Sequence, residues 1–271
     1  MGGSARKTLV RVVVWLVVMN SRAAAGDWIL DLDGRLSLAY MSSVGEAVTG
    51  MASQELTRFG NSYGFTSGNF LSHDGMADSL PGFGIGIRKQ IGAGWGCRFA
   101  VGLSRIAFTA ETIGVGLGGE KLTQDWNLEL GVIPVLAGLW MESVTEKGFV
   151  LRGNASVGIT NIQGYLEVNR QFFGPGGTRH YWGHNFLSGW GPTFEMSGSL
   201  GYRVRSYLEV FLDGGIVAVS PFTLAFKNAA DINLDGVDDF QRGEILRDRF
   251  NTPATLDLTN WQARLGVAFS L

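Results

Sequence analysis

The residues best spaced for chemistry lie late in the chain, in Asp231-Ile-Asn233-Leu-Asp235-Gly236-Val237-Asp238-Asp239. Short oxygen-bearing side chains at alternate positions, followed by a glycine that permits a sharp turn, are what a hard cation such as calcium requires. Asp231, Asn233, Asp235 and Asp239, with the Val237 carbonyl, would be its ligands. Position twelve of that template is Arg242, where a bidentate acid belongs, so a complete EF-hand is excluded and Glu244 is the nearby substitute. The competing reading is a solvated acidic turn, because Asp, Asn and Gly are ordinary loop residues. A bound calcium would stiffen this loop without catalysing anything, and no other cofactor is required.

Nucleophilic chemistry finds less support. His73 stands between Ser72 and Asp74, but adjacent residues of an extended segment point in opposite directions, so the three do not form a triad by themselves. His180 and His184, near Tyr181 and Trp182, read as surface loop residues. Cys97 is the single cysteine, so no intramolecular disulfide is possible; beside Trp95 and Phe99 it reads as a small apolar wall residue. Gly114-Val-Gly116-Leu-Gly118-Gly119 matches the letters of a dinucleotide fingerprint without the following helix, and reads as a flexible loop.

A larger set of charges is embedded in apolar alternation: Asp31, Asp33, Arg35, Arg88, Arg98, Glu129, Arg152, Glu195, Arg203, Glu209, Asp213 and Arg264. Around the first three, Leu30, Leu32, Leu36, Leu38 and Tyr40 occupy the intervening even positions, so one face is greasy and the other charged. Further runs of the same kind follow: Phe83 to Ile87, Trp95 to Leu103, Trp126 to Met141, Phe149 to Ile162, about Trp190 to Val204, Tyr207 to about Ser220, and about Leu256 to Leu271. The count is eight strands, or ten if residues 42–80 hide another hairpin. Links after strands two, four and six are tight, among them 89–94 and 142–148, whereas those spanning about 41–80, 105–125, 163–188 and 221–254 are long. Short turns at one end and long loops at the other predict an all-β fold, an eight-stranded antiparallel transmembrane β-barrel with both termini in the periplasm. A lipocalin-like soluble barrel shares the periodicity but would put its charges outside. Tryptophans 28, 95, 126, 140, 190 and 261 at strand ends favour membrane-interface girdles, and matched acids and arginines favour a filled lumen.

The N-terminus carries Arg6, Lys7 and Arg11, eight apolar residues from Val12 to Met19, and Ala23-Ala24-Ala25, which reads as a secretory signal peptide over 1–25 preceding a barrel domain over 26–271. The apolar run falls well short of the roughly 20 residues of a spanning helix. Without that leader the chain keeps 18 basic residues against 24 acidic, a net charge of about −6, which offers nucleic acid no basic face.

The stretch Leu130-Gly-Val-Ile-Pro134-Val-Leu-Ala-Gly138-Leu-Trp140, a short polar turn, then Phe149-Val-Leu-Arg-Gly153-Asn-Ala-Ser-Val-Gly158, resembles the central hairpin of small bacterial outer-membrane barrels of the OmpW and OmpA type. Those families usually end in an aromatic residue, whereas this chain has Leu271 last and Phe269 two before it. The resemblance implies a protein of the bacterial outer membrane, in contact with its lipids and lipopolysaccharide and with the barrel-assembly machinery. It further implies a non-enzymatic role in envelope structure or surface presentation, with an extracellular ligand left open. The alternatives are a small OmpW-like channel for small or apolar solutes, which would need a gap in lateral strand pairing or an apolar tunnel among Ile133, Val135 and Leu139, and loop-mediated adhesion; an outer-membrane hydrolase comes last. Whether the lumen charges line a pore or plug it is weighed toward the plug, because an unpaired charge there is costly.

Overall fold

The computed structural model describes residues 28–37, 42–64, 67–72, 78–229, 231, 237, 241–247 and 251–271. In chain order these form β1 (Trp28–Ser37), α1 (Ser42–Tyr63), β2 (Ser67–Ser72), β3 (Asp78–Gly92), β4 (Trp95–Val115), β5 (Lys121–Val144), β6 (Phe149–Gly174), β7 (Gly177–Arg205), β8 (Leu208–Val219), β9 (Phe222–Thr223), β10 (Ala225–Phe226), β11 (Thr255–Leu256) and β12 (Asn260–Ser270). Eight strands close a ring in the order β1, β3, β4, β5, β6, β7, β8, β12, with every neighbour antiparallel. The eight-stranded barrel expected from the alternation is present, and the hidden hairpin over 42–80 is instead a helix followed by β2, which pairs outside the ring with β4.

The ring is lopsided. Strands β4 to β7 are 21, 24, 26 and 29 residues long, whereas β8, β12 and β1 have 12, 11 and 10. A tilted strand crosses a bilayer in roughly 9–11 residues, so β4 to β7 run on as a tall wall beyond a low collar. Two of the expected long loops are therefore strand: 105–125 and 163–188 lie mostly in β4 to β7 and close in tight turns at Gly116–Glu120 and Gly174–Gly177. The glycine-rich segment 114–119 is thus a hairpin end, with the Gly116 amide donating to the Glu120 carbonyl at 2.8 Å and Gly119 at φ +87°.

Face polarity changes along the tall strands. Outward positions of β5 run Lys121, Thr123, Asp125, Asn127 and Glu129, then Ile133, Val135, Ala137, Leu139 and Met141. Those of β6 run the other way, Phe149, Leu151, Ala155, Val157 and Ile159, then Asn161, Gln163, Glu167, Asn169 and Gln171. Ile133 is paired with Asn161, and Asn161 with Trp190 of β7, so the change falls at one height around the wall. The inward faces change in the opposite sense, from Arg152, Asn154, Ser156 and Thr160 to Ile162, Leu166 and Val168 on β6.

Above that height lies a conventional apolar core. α1 presents Val44, Ala47, Val48, Ala52 and Phe59 at helical spacing to the inner face of the tall wall, where Phe108, Trp126, Leu128, Leu166 and Leu187 are buried. Phe222, Leu224, Phe226, Leu246, Leu256 and Leu258, from the connection between β8 and β12, complete it. Gly45 lets the helix approach closely, since a Cβ there would stand 3.2 Å from the Phe108 ring.

Candidate functional site

The lower half of the barrel holds the chemistry. Alternation places Asp31, Asp33 and Arg35 of β1 on one inward face, and register brings the inward residues of neighbouring strands to matching heights. Nearest the tight turns, Arg88 forks onto Asp31 with Nε and Nη2 each donating at 2.8 Å, while its guanidinium lies 5.3 Å from the Trp140 ring. Glu142 accepts from Arg152 at 3.1 Å and Arg203 at 3.0 Å, and Arg152 also donates to Glu209 at 2.8 Å. One storey up, Arg264 donates to Asp213 from Nη2 at 2.6 Å and Nε at 2.8 Å, to Glu195 at 3.0 Å and to the Ser197 hydroxyl at 2.8 Å. Glu195 also accepts from Arg98 at 2.8 Å and Gln262 at 3.1 Å, and Arg35 donates to Asp33 at 2.7 Å.

Six inward acids, Asp31, Asp33, Glu142, Glu195, Glu209 and Asp213, thus face five buried arginines with Arg203 at the rim, and their formal charges cancel. Forked guanidinium–carboxylate pairs with further hydroxyl and amide donors can hold such charges out of water, because the lone pairs are satisfied. Above the network, Thr160 and Thr193 share a hydrogen bond of 2.7 Å. A cavity of only about 50 Å³, bounded by Arg35, Pro134, Thr160, Glu195 and Gln262, separates the charged layer from the apolar core. A larger concavity, about 760 Å³, lies over the outward-facing Gly153, Gly198 and Gly214.

Charges inside and apolar side chains outside are the reverse of a water-soluble barrel. Leu139, Leu151, Val157, Met196, Leu200, Leu212 and Leu265 are all more than half exposed, and with the exposed Leu36, Phe83, Phe99 and Leu103 they form a belt around the charged storey. Only hydrocarbon makes that belt stable. This is a membrane-spanning β-barrel. In the last strand Trp261, Ala263, Leu265, Val267 and Phe269 belong to the belt and Arg264 to the interior, with Arg264 gripping Asp213 and Glu195.

Four expectations require correction. Glu129 is not in the lumen: it faces outward above the belt, ion-paired with Arg105 and accepting the Tyr165 hydroxyl, which together with burial holds that phenol above its usual range. By the same parity Ile133, Val135 and Leu139 point to lipid, which removes the lining of the apolar tunnel that a channel would use. Arg203 sits at the exposed rim rather than inside. Trp126 and Trp140 are buried inside the barrel, Trp140 donating to the Cys97 carbonyl at 3.1 Å, while Trp95, Trp190 and Trp261 are exposed on its outer wall. Glu142 was missed because it falls one residue beyond the expected strand end, although its even number shares the inward parity of Trp140.

Of the calcium-type loop, Asp231 and Val237 are described, whereas Asn233, Asp235 and Asp239 lie outside the described residues. His73 and Asp74 also lie outside them, as does the expected leader over 1–25. His180 is exposed near the β6–β7 hairpin end, and His184 is packed between Tyr165, Trp182 and Phe186 on the outer wall.

No protein-family model and no curated protein matches the sequence. Among solved structures, the chain is similar to Neisserial surface protein A (10% identity, 90% of this chain and 97% of that one, TM-score 0.37). It is also similar to Ail, the attachment invasion locus protein of Yersinia pestis, in complex with the heparin analogue sucrose octasulfate (10% identity, 91% and 100%, TM-score 0.37). The outer membrane protease OmpT of Escherichia coli is a further match (9% identity, 91% and 94%, TM-score 0.27).

Proposed function

We propose that this chain is a sealed, non-enzymatic barrel of the bacterial outer membrane that anchors and displays a rigid structure on the cell surface. The observation that carries the reading is the filling of the barrel at two levels. A neutral network of arginines and acids occupies the membrane storey, and an apolar core built on α1 occupies the storey above. An ion entering the lower storey would have to displace a guanidinium or carboxylate already paired, and one entering the upper storey would meet no polar lining at Trp126, Leu128 and Leu166.

The low end with the tight turns would face the periplasm and the tall wall the exterior, in contact with outer-membrane lipids and lipopolysaccharide. The leader over 1–25 would deliver the chain to the barrel-assembly machinery. Calcium at Asp231, Asn233, Asp235 and Asp239 would serve only to stiffen the connection after β8. Planar-bilayer recordings of the refolded protein test the sealed lumen: the expected result is no steady conductance, and reproducible single-channel steps would overturn it.

A further inference from the structure

We propose that the outer wall of β6 and β7 is a saccharide-binding face that stacks the sugar headgroup of glycolipids in the membrane holding the barrel. It rests on the outer-membrane reading above. Along β7 the outward positions Trp182, His184, Phe186 and Trp190 form a ladder of rings interrupted only by Ser188, rising from the height at which the apolar belt ends. The eight residue steps from Trp182 to Trp190 rise roughly 26 Å, enough to pass through a layer of several sugar rings. The ladder is tightly built. His184 stacks on Tyr165 at 4.5 Å and 24°, meets Phe186 edge-on at 4.8 Å, and lies 5.5 Å from Trp182.

Such an exposed ring surface above the belt is paired with neither core nor lipid tails. Trp182 is 64% exposed, yet its indole is fixed by donation to Glu167 at 2.7 Å. Orienting an exposed ring in this way leaves its face free for the C–H side of a sugar and avoids the ordering cost at the moment of binding. Beside the rings stand the acceptors and amides that hydroxyl groups need: Glu129, Glu167, Asn127, Asn161, Gln163 and Asn169.

Charge narrows the occupant. Glu129 and Glu167 lie among the rings, Arg105 is paired with Glu129, and the exposed Lys227 beside Phe186 is outweighed by these acids, so among the described residues no cluster of cations marks phosphate groups as the recognised feature. Height identifies the source: the ladder begins at Trp190, opposite Asn161 where the outward face turns polar, so lipid headgroups lie against it. An uncharged portion of a membrane saccharide fits both conditions.

The test uses the full mature barrel in phosphatidylethanolamine–phosphatidylglycerol nanodiscs with and without rough lipopolysaccharide, intact or enzymatically dephosphorylated. Bound glycolipid is quantified after competition, and Trp182 fluorescence is followed in parallel. Trp182→Ala with His184→Ala is expected to lower glycolipid retention by about tenfold while leaving the heat-modifiable folded band unchanged. Retention should survive dephosphorylation. Unchanged retention in the double variant, or loss on dephosphorylation, would overturn the proposal. So would equal binding of the delipidated oligosaccharide alone, which would make the face a receptor for soluble glycans. A barrel that fails to enter nanodiscs would instead refute the membrane reading.

Discussion

Replacing Arg264 by Met is the most demanding test of the charged storey. The side chain is 1% exposed and donates four hydrogen bonds, three of them to carboxylates. Methionine fills much of the same volume but removes, among the described residues, the one guanidinium on Asp213, which keeps there the neutral Ser197 at 3.0 Å and Asn154 at 3.5 Å. Glu195 retains Arg98 and Gln262, so the damage concentrates on Asp213. An uncompensated buried charge of this kind costs about 3–5 kcal/mol. The Arg105–Glu129 pair on the outer wall is the internal control: its side chains are 52% and 27% exposed, so Arg105→Met should cost no more than about 1 kcal/mol. Equilibrium urea unfolding in phospholipid vesicles, followed by tryptophan fluorescence, measures both. Adding Asp213→Asn to Arg264→Met removes the stranded charge and should recover about 1–3 kcal/mol through their coupling. If Arg264→Met costs no more than Arg105→Met, or if Asp213→Asn worsens it, the interior is hydrated and the sealed lumen is refuted.

Other outcomes follow from particular contacts. A Cβ at Gly158 would run into the Val135 carbonyl of the adjacent strand, whereas one at Gly153 meets nothing within 4 Å. Gly158→Ala should therefore cost about 1–3 kcal/mol in the same unfolding assay, and Gly153→Ala less than about 0.5. Tyr165 ionises above the usual value near 10 because the phenol donates to Glu129, so the stability linked to it is present below that value and lost as pH rises through the higher folded one. Difference absorbance of wild type against Tyr165→Phe should show the late tyrosinate, and Glu129→Gln should move it down. Glu55 is buried between Arg58 at 2.8 Å and Arg170 at 3.3 Å, tying α1 to the tall wall. Glu55→Ala should speed tryptic cleavage after Arg58 by about tenfold while the heat-modifiable band persists.

The alternation carried most of the barrel but could not carry its medium. Ten of the twelve expected lumen charges face inward, since in every ring strand a charge between large apolar neighbours in the lipid storey has only one place to go. Glu129 broke that logic because it lies above the lipid, where the outward face is the polar one. Taking it as inward forced Ile133, Val135 and Leu139 inward as well, so one residue misread produced the apparent tunnel. The strand extensions over 105–125 and 163–188 were hidden for the same reason. Leu122, Trp126, Leu128 and Leu130 alternate with Thr123, Asn127 and Glu129, but polar outward residues in a stretch outside the expected membrane resemble a loop. α1 carried a usable signal in Val44, Ala47, Val48, Met51, Ala52, Glu55 and Phe59, spaced three or four apart.

The lopsided ring explains why the long connections occur where they do. A wall that continues beyond the bilayer has water on its outer face, so its inner face must be apolar and must be covered. The strands on the low side stop too early to cover it. Only two connections start from that side, β1 to β3 and β8 to β12, and these carry α1 with β2 and the segment holding Phe222, Leu224, Phe226, Leu246 and Leu256. Connections between two tall strands have no such task and shrink to the turns at Gly116–Glu120 and Gly174–Gly177. Short strands and core-bearing connections are thus two sides of one requirement. Trimming β4 to β7 to collar height would strip α1 of its partner surface and leave Val44, Val48 and Phe59 in water, so the surface structure and the tall wall must fold as one unit.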